Sequence, residues 1–301
     1  MGCERSARRI ARRPARGPGR TRAGAIACAV AALAALAAAP AAADEVTDAY
    51  LASRAALDAG DLDAATRHAE RALRLGRAQR ADDDPELAAL GMNAGQLLLG
   101  GGQTLEAVDA FRTAVRAYER IHGKDAIELS GPLRALAVAQ SRNGETSAAR
   151  LTHERRVALV AASAGDPSVA LADALRDAAT AERDARQGRR ARKLLERAIA
   201  SYEAAGEQGE LLARAKIELG FVELMNAPTS IATRKRAETS IRDGLWLLEH
   251  AFPLGSDELV EVYEQIERRL ERAHVTGGSS KLAALVEKRL ERHRVARARR
   301  R

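Results

Sequence analysis

The side chains able to do chemistry in this 301-residue chain are few and scattered. The six histidines are His68, His122, His153, His250, His274 and His293, and none belongs to an H-E-x-x-H pair, the spacing that sets two imidazoles on one helix face around zinc. "HER" at His153 starts such a motif but has no second histidine, so His153 reads as a satisfied seam or surface residue. Asp82-Asp83-Asp84 gathers carboxylates, yet no partner ligands are identifiable, and a carboxylate cluster suits the cap of a helix start. No nucleophile elbow, Walker sequence or G-x-G-x-x-G occurs, and "GGSSK" at 277–281 reads as a linker and helix start. These residues support no enzyme, and neither a metal nor a cofactor is expected.

The first 43 residues read as a secretory signal. Eight arginines lie between Arg5 and Arg22, the apolar stretch Ala23 to Ala39 follows, and Ala41-Ala42-Ala43 offers an A-x-A cleavage site before Asp44. Export with maturation near Asp44 is expected, and a periplasmic location follows from the arginine- and alanine-rich composition. The alternative is an uncleaved N-terminal helix anchoring the chain in a membrane. The chain carries 49 Lys and Arg against 41 Asp and Glu, a net charge of +8. Without the first 43 residues the net charge falls to about +1, which removes the case for a nucleic-acid partner. Cys3 and Cys28 leave with that segment, so the remainder has no thiol for a disulfide, a nucleophile or a thiolate metal site.

The elements that must position any site are helices. Apolar residues recur at spacings of three and four, with no sustained alternation of period two. Gly60, Gly102 and Gly144 stand 42 residues apart, as do Ala65, Ala107, Ala149 and Ala191. Around them run "GDLDAATRHAERAL", "GQTLEAVDAFRTAV", "GETSAARLTHERRV" and "RQGRRARKLLERAI", four copies of one unit. The glycine reverses the chain between two helices, and Ala52-Ser53, Ala94-Gly95, Leu136-Ala137 and Ala178-Ala179 supply small side chains on the first helix. Ala69, Phe111, His153 and Leu195 point into the seam. Prolines mark other starts: Asp84-Pro85 and Asp166-Pro167 read as N-cap and first-turn proline. The helices are expected at 46–58, 61–78, 85–100, 103–121, 126–142, 145–163, 167–186 and 189–205. An irregular pair follows at 208–225 and 231–250, then helices at 256–274 and 280–297.

The small pairs on first helices and the A-x-x-x-F spacing on second helices resemble tetratricopeptide (TPR) repeats. "AGQLL" with "EAVDAF", and "LGFVEL", are the nearest fits, and the 42-residue period resembles the extended kinesin light chain type. The resemblance implies an all-α, right-handed α-solenoid of stacked antiparallel hairpins over residues 44–252, followed by capping helices and a basic tail over 253–301. The large aromatic of the family's first helix is missing, its place taken by Ala49, Gly91, Leu133 and Leu175. The resemblance also implies a peptide-binding groove on the inner face. The register puts Tyr50, Arg54, Met92, Asn93, Gln96, Arg134, Val138, Arg176, Thr180 and Arg183 there.

Arginines dominate the middle of that lining, which suits an acidic segment or a chain-terminal carboxylate. The family's carboxylate clamp is matched only by Asn93, so chaperone-tail binding is not inferred. The competing reading pairs these arginines with Asp173, Asp177 and Asp184 on a solvated surface. From Lys288 to Arg301 eight basic residues face one acid, Glu291. This end is read either as a solvated, fraying helix or as a dock for an anionic envelope surface. Two functions follow: an exported scaffold binding a protein or peptide partner in its groove, or a structural envelope protein held by its tail. The sequence leaves the oligomeric state open.

Overall fold

The computed structural model describes residues 44–226, 230–272 and 280–300. The expected signal or anchor segment, 1–43, lies outside the described residues, as does the linker part of "GGSSK". Twelve α-helices make up the described chain: α1 Glu45–Asp58, α2 Leu62–Gln79, α3 Pro85–Gly100, α4 Thr104–His122, α5 Ser130–Arg142, α6 Thr146–Ala164, α7 Val169–Asp184, α8 Gly188–Ala204, α9 Glu210–Asn226, α10 Ile231–Ala251, α11 Asp257–Arg272 and α12 Ser280–Ala298. Consecutive helices pack as hairpins, and each hairpin packs on the next. The fold is the all-α, TPR-like solenoid that the repeats imply. Among the described residues no helix is long and apolar enough to cross a membrane.

Local chemistry sets the helix ends. Asp44 accepts the Thr47 N–H at 2.8 Å, Asp61 the Ala64 N–H at 2.9 Å and Asp84 the Glu86 N–H at 2.8 Å, each satisfying a first-turn donor. Gly60, Gly102 and Gly144 take φ of 78°, 81° and 80°. At each of them the following residue's N–H reaches back to the helix it has just left, as in Gln103 to Leu98 O at 2.9 Å. One period on, Arg186 makes the same turn at φ 59°, a conformation that strains a side-chain-bearing residue by about 1–2 kcal/mol.

The seam inside each hairpin is as the spacing implies. Ala65, Ala107, Ala149 and Ala191 are fully enclosed, and Ala69, Phe111, His153 and Leu195 are buried beside them. Phe111 lies flat against Gly95, where an added Cβ would sit 2.6 Å from the ring. Gly91, in the place of the family's aromatic, brings α3 onto α4: its Cβ would meet the Ala110 carbonyl at 2.9 Å. The irregular fifth hairpin keeps this close approach through Gly220 and Gly244, each 2.6 Å in the same sense from a carbonyl on the other helix.

Three expectations need correction. The helix expected at 126–142 starts as a 3-10 turn, Ile127–Leu129, before α5. Asp166-Pro167 does not cap α7; Ser168 does, because its hydroxyl accepts the Leu171 N–H at 3.2 Å, and Asp166 is drawn to Arg197 at 3.0 Å. The basic end is no fraying helix. α12 buries Leu282, Val286, Leu290 and His293, and the His293 Nδ1 accepts the Gly255 N–H at 3.1 Å while its ring stacks on Tyr263.

The core is shared unevenly along the array. One buried cluster runs from Val46 to Ala215 and another from Ala213 to Leu290, so α9 supplies both. First helices also touch one another, α3 with α5, α5 with α7 and α7 with α9, which makes them the inner layer.

Candidate functional site

All ten groove residues fall on first helices: Tyr50 and Arg54 on α1, Met92, Asn93 and Gln96 on α3, Arg134 and Val138 on α5, and Arg176, Thr180 and Arg183 on α7. The ten residues divide electrostatically into two parts, a central set and an N-terminal one.

The central set is neutralised. Arg134 Nε donates to Asp177 Oδ2 at 2.7 Å, and Arg156, buried on α6, donates to the same oxygen at 2.8 Å. Burial holds the Arg156 guanidinium below its ordinary pKa, with Asp177 opposing the effect. Arg176 lies 3.3 Å from Asp173, which also accepts the Tyr202 hydroxyl at 2.5 Å. Enclosure pushes the Tyr202 pKa upward. Arg183 turns onto Asp184 at 2.9 Å, and Thr180 bonds the Arg176 carbonyl at 3.1 Å. Each central arginine thus has the aspartate partner that the competing reading assigns to it.

The N-terminal part carries open valences. The Asn93 Nδ2 is buried and has no hydrogen-bond partner. Tyr50 and Met92 pack against the core beside it. Half-buried Arg54 and exposed Gln96 make no hydrogen bond or ion pair among the described residues. This part thus carries an unpaired cation and an exposed amide beside an apolar flank.

Sequence reasoning missed Arg269 on α11. Its guanidinium lies 3.8 Å from the centre of the Phe221 ring. Burial, with a contribution from nearby Arg183, pulls its pKa down to about 10. Arg269 falls outside the 42-residue register, so no repeat comparison could have placed it. The Asp82-Asp83-Asp84 cluster resolves into a helix cap through Asp84, and among the described residues no group of three metal-binding side chains comes together.

No family model matches the chain, and no curated protein matches it in sequence. Solved structures do resemble it. The nearly identical TPR-like repeats of a kinesin light chain candidate from Podosopora anserina superpose with a TM-score of 0.56 at 17% identity, covering 67% of this chain and 94% of that one. BtubC from P. vanneervenii gives 0.56 at 18% identity, covering 78% and 91%. The apo form of RapI gives 0.51 at 11% identity, covering 91% and 90%. The described residues therefore share the fold of TPR-like helical repeats.

Proposed function

We propose that this protein is an exported, non-catalytic scaffold holding a protein or peptide partner along the inner face of its solenoid. The observation that carries the reading is the contrast on that face: Asn93, Arg54 and Gln96 lack partners, whereas Arg134, Arg176 and Arg183 are paired with aspartates. A partner enters at the α1–α3 end, where its backbone meets Gln96 and a carboxylate meets Arg54; Asn93 Nδ2, closed to solvent, is reached only if the packing around it opens. An acidic partner draws on the central arginines only by displacing their aspartates. Export rests on the N-terminal sequence, and it agrees with Asp44, the residue after the A-x-A site, being the cap that starts α1.

The experiment is crosslinking from a photoreactive residue at position 96 in the native envelope, followed by identification of captured proteins. Capture should survive in wild type and fall at least tenfold in Asn93→Ala with Arg54→Glu, while the triple change Arg134→Glu, Arg176→Glu and Arg183→Glu should have the smaller effect. Undiminished capture by the folded double variant refutes the reading. Docking on an anionic surface is the second reading. It is favoured by Lys288, Arg292, Arg299 and Arg300, which are exposed and unpaired among the described residues of the C-terminal end.

A further inference from the structure

The second helices form the outer layer, and successive members are tied by long side chains. Arg77 of α2 donates to Thr113 Oγ1 of α4 at 2.7 Å and pairs with Asp109 at 2.9 Å. Arg155 of α6 pairs with Glu119 of α4 at 2.5 Å, and Arg112 with Glu145 at 2.9 Å. Between α6 and α8, among the described residues, no side-chain hydrogen bond or ion pair crosses.

The repeat register explains the gap. One period after Arg77 stands Glu119, and one period after Glu119 stands Ala161, so the bridging group is gone. Lys193, in the register of Asp109, is left without a partner, and Arg197, in the register of Thr113 and Arg155, turns to Asp166. A second pair is broken in the same way. Gln140 accepts the Thr152 hydroxyl at 2.8 Å, but one period on the residues are Glu182 and Leu194. Glu182 is only 6% exposed and its carboxylate has lost its donor. His153 completes the set: it occupies the seam position of Phe111, is 3% exposed, and its Nδ1 has no partner. These three changes surround a cavity of about 650 Å³ between α6, α7 and α8.

We propose that this cavity is a binding site, separate from the inner face, for a short apolar peptide with free ends. Its volume falls in the range of small-ligand sites. Val157, Ala158, Ala161 and Leu194 give the peptide's side chains an apolar wall. Glu182 takes an ammonium or amide N–H, and Lys193 with Arg190 at the rim takes the carboxylate. A fatty acid fits worse, because its alkyl chain offers no donor to the Glu182 carboxylate. The charges thus complement an apolar molecule that carries both a cationic and an anionic group.

Calorimetric titration of the full chain with Leu-Leu-Leu and Leu-Phe-Leu, their N-acetyl and C-amide forms, and octanoate tests this. One free tripeptide should bind at one site per chain, with each blocked form at least tenfold weaker. Glu182→Gln should erase the preference for the free amine, and Lys193→Ala the preference for the free carboxylate. A purely structural role would move neither preference, and Lys193, being exposed, serves if Glu182→Gln fails to fold. Absence of binding by both tripeptides at millimolar concentration, tighter binding of octanoate, or unchanged end-group preference in Lys193→Ala overturns the proposal.

Discussion

The α4–α6 and α6–α8 contacts are built from one repeat unit shifted by a single period, yet the first is laced by Arg155–Glu119 and Arg112–Glu145 and the second opens into a cavity. Inside the hairpins the changes are confined to side chains: His153 stands where Phe111 does, and Glu182 with Leu194 where Gln140 bonds Thr152. Ala107, Ala149 and Ala191 remain enclosed to the same degree, and a larger group in so closed a seam overpacks it. The two kinds of contact differ in what a substitution costs. A seam position resists change through steric repulsion, while an outer ion pair contributes about 0–1 kcal/mol and can be dropped without losing the fold. A repeat array can therefore acquire a site by deleting outer bridges and changing polar seam side chains while the small seam alanines stay in place.

The largest expected effect lies where the two kinds of contact meet, at His153. Burial lowers its pKa from 6.5 to about 4, with Asp177 opposing and Arg156 and Arg134 assisting. The unfolded chain then takes up the proton first as pH falls, so stability is lost between about pH 6.5 and 4 and levels off below. His153→Leu should remove that loss, on the order of 3 kcal/mol at its full extent. Urea unfolding of both proteins at pH 7, 5.5 and 4 measures it, and parallel acid slopes would show that His153 is solvated.

Next comes the seam itself. Ala107→Leu should cost about 1–3 kcal/mol through overpacking against α3, seen as a lowered thermal midpoint by circular dichroism. An unchanged midpoint would erase the distinction between seam and outer contact. Smaller still is the bridge: Arg155→Ala should cost about 0.2–1 kcal/mol, and a double-mutant cycle with Glu119→Ala isolates the pair. The smallest effect runs the other way. Ala161→Glu restores the missing bridging group opposite Lys193 and Arg197, and should stabilise by about 0.2–1 kcal/mol in the same unfolding assay. A loss instead would mean that the cavity wall has no room for the side chain.

The hairpins were legible in the sequence because glycine, alanine and phenylalanine at fixed offsets report backbone geometry directly. Gly102, Ala107 and Phe111 stand as their spacing implies, and the described helix ends agree within about two residues except the start of α5, expected at 126 and found at Ser130. The Asp166-Pro167 start misled because Ser168 competes for the same role, and a hydroxyl that reaches the Leu171 N–H wins. The groove residues were placed on the correct helices, but the spacing carried no sign that Arg134 and the buried Arg156 share Asp177. The cavity was missed although its signal was present. A single histidine carries no sign of it, whereas Ala161 in the register of Glu119 and Leu194 in the register of Thr152 mark the lost partners.

The division of the core at α9 has a consequence for how the array comes apart. Leu212 and Ala215 belong to the cluster that reaches back to Val46, while Ala213 and Ile217 belong to the one that runs to Leu290. A helix that walls two clusters cannot detach from one without exposing the other, so fraying that begins at either terminus is halted or completed there. The amides of α9 should then exchange with solvent at the rate of whole-array opening, and the nearest-neighbour coupling that limits cooperativity in long repeat chains should be strongest at this helix.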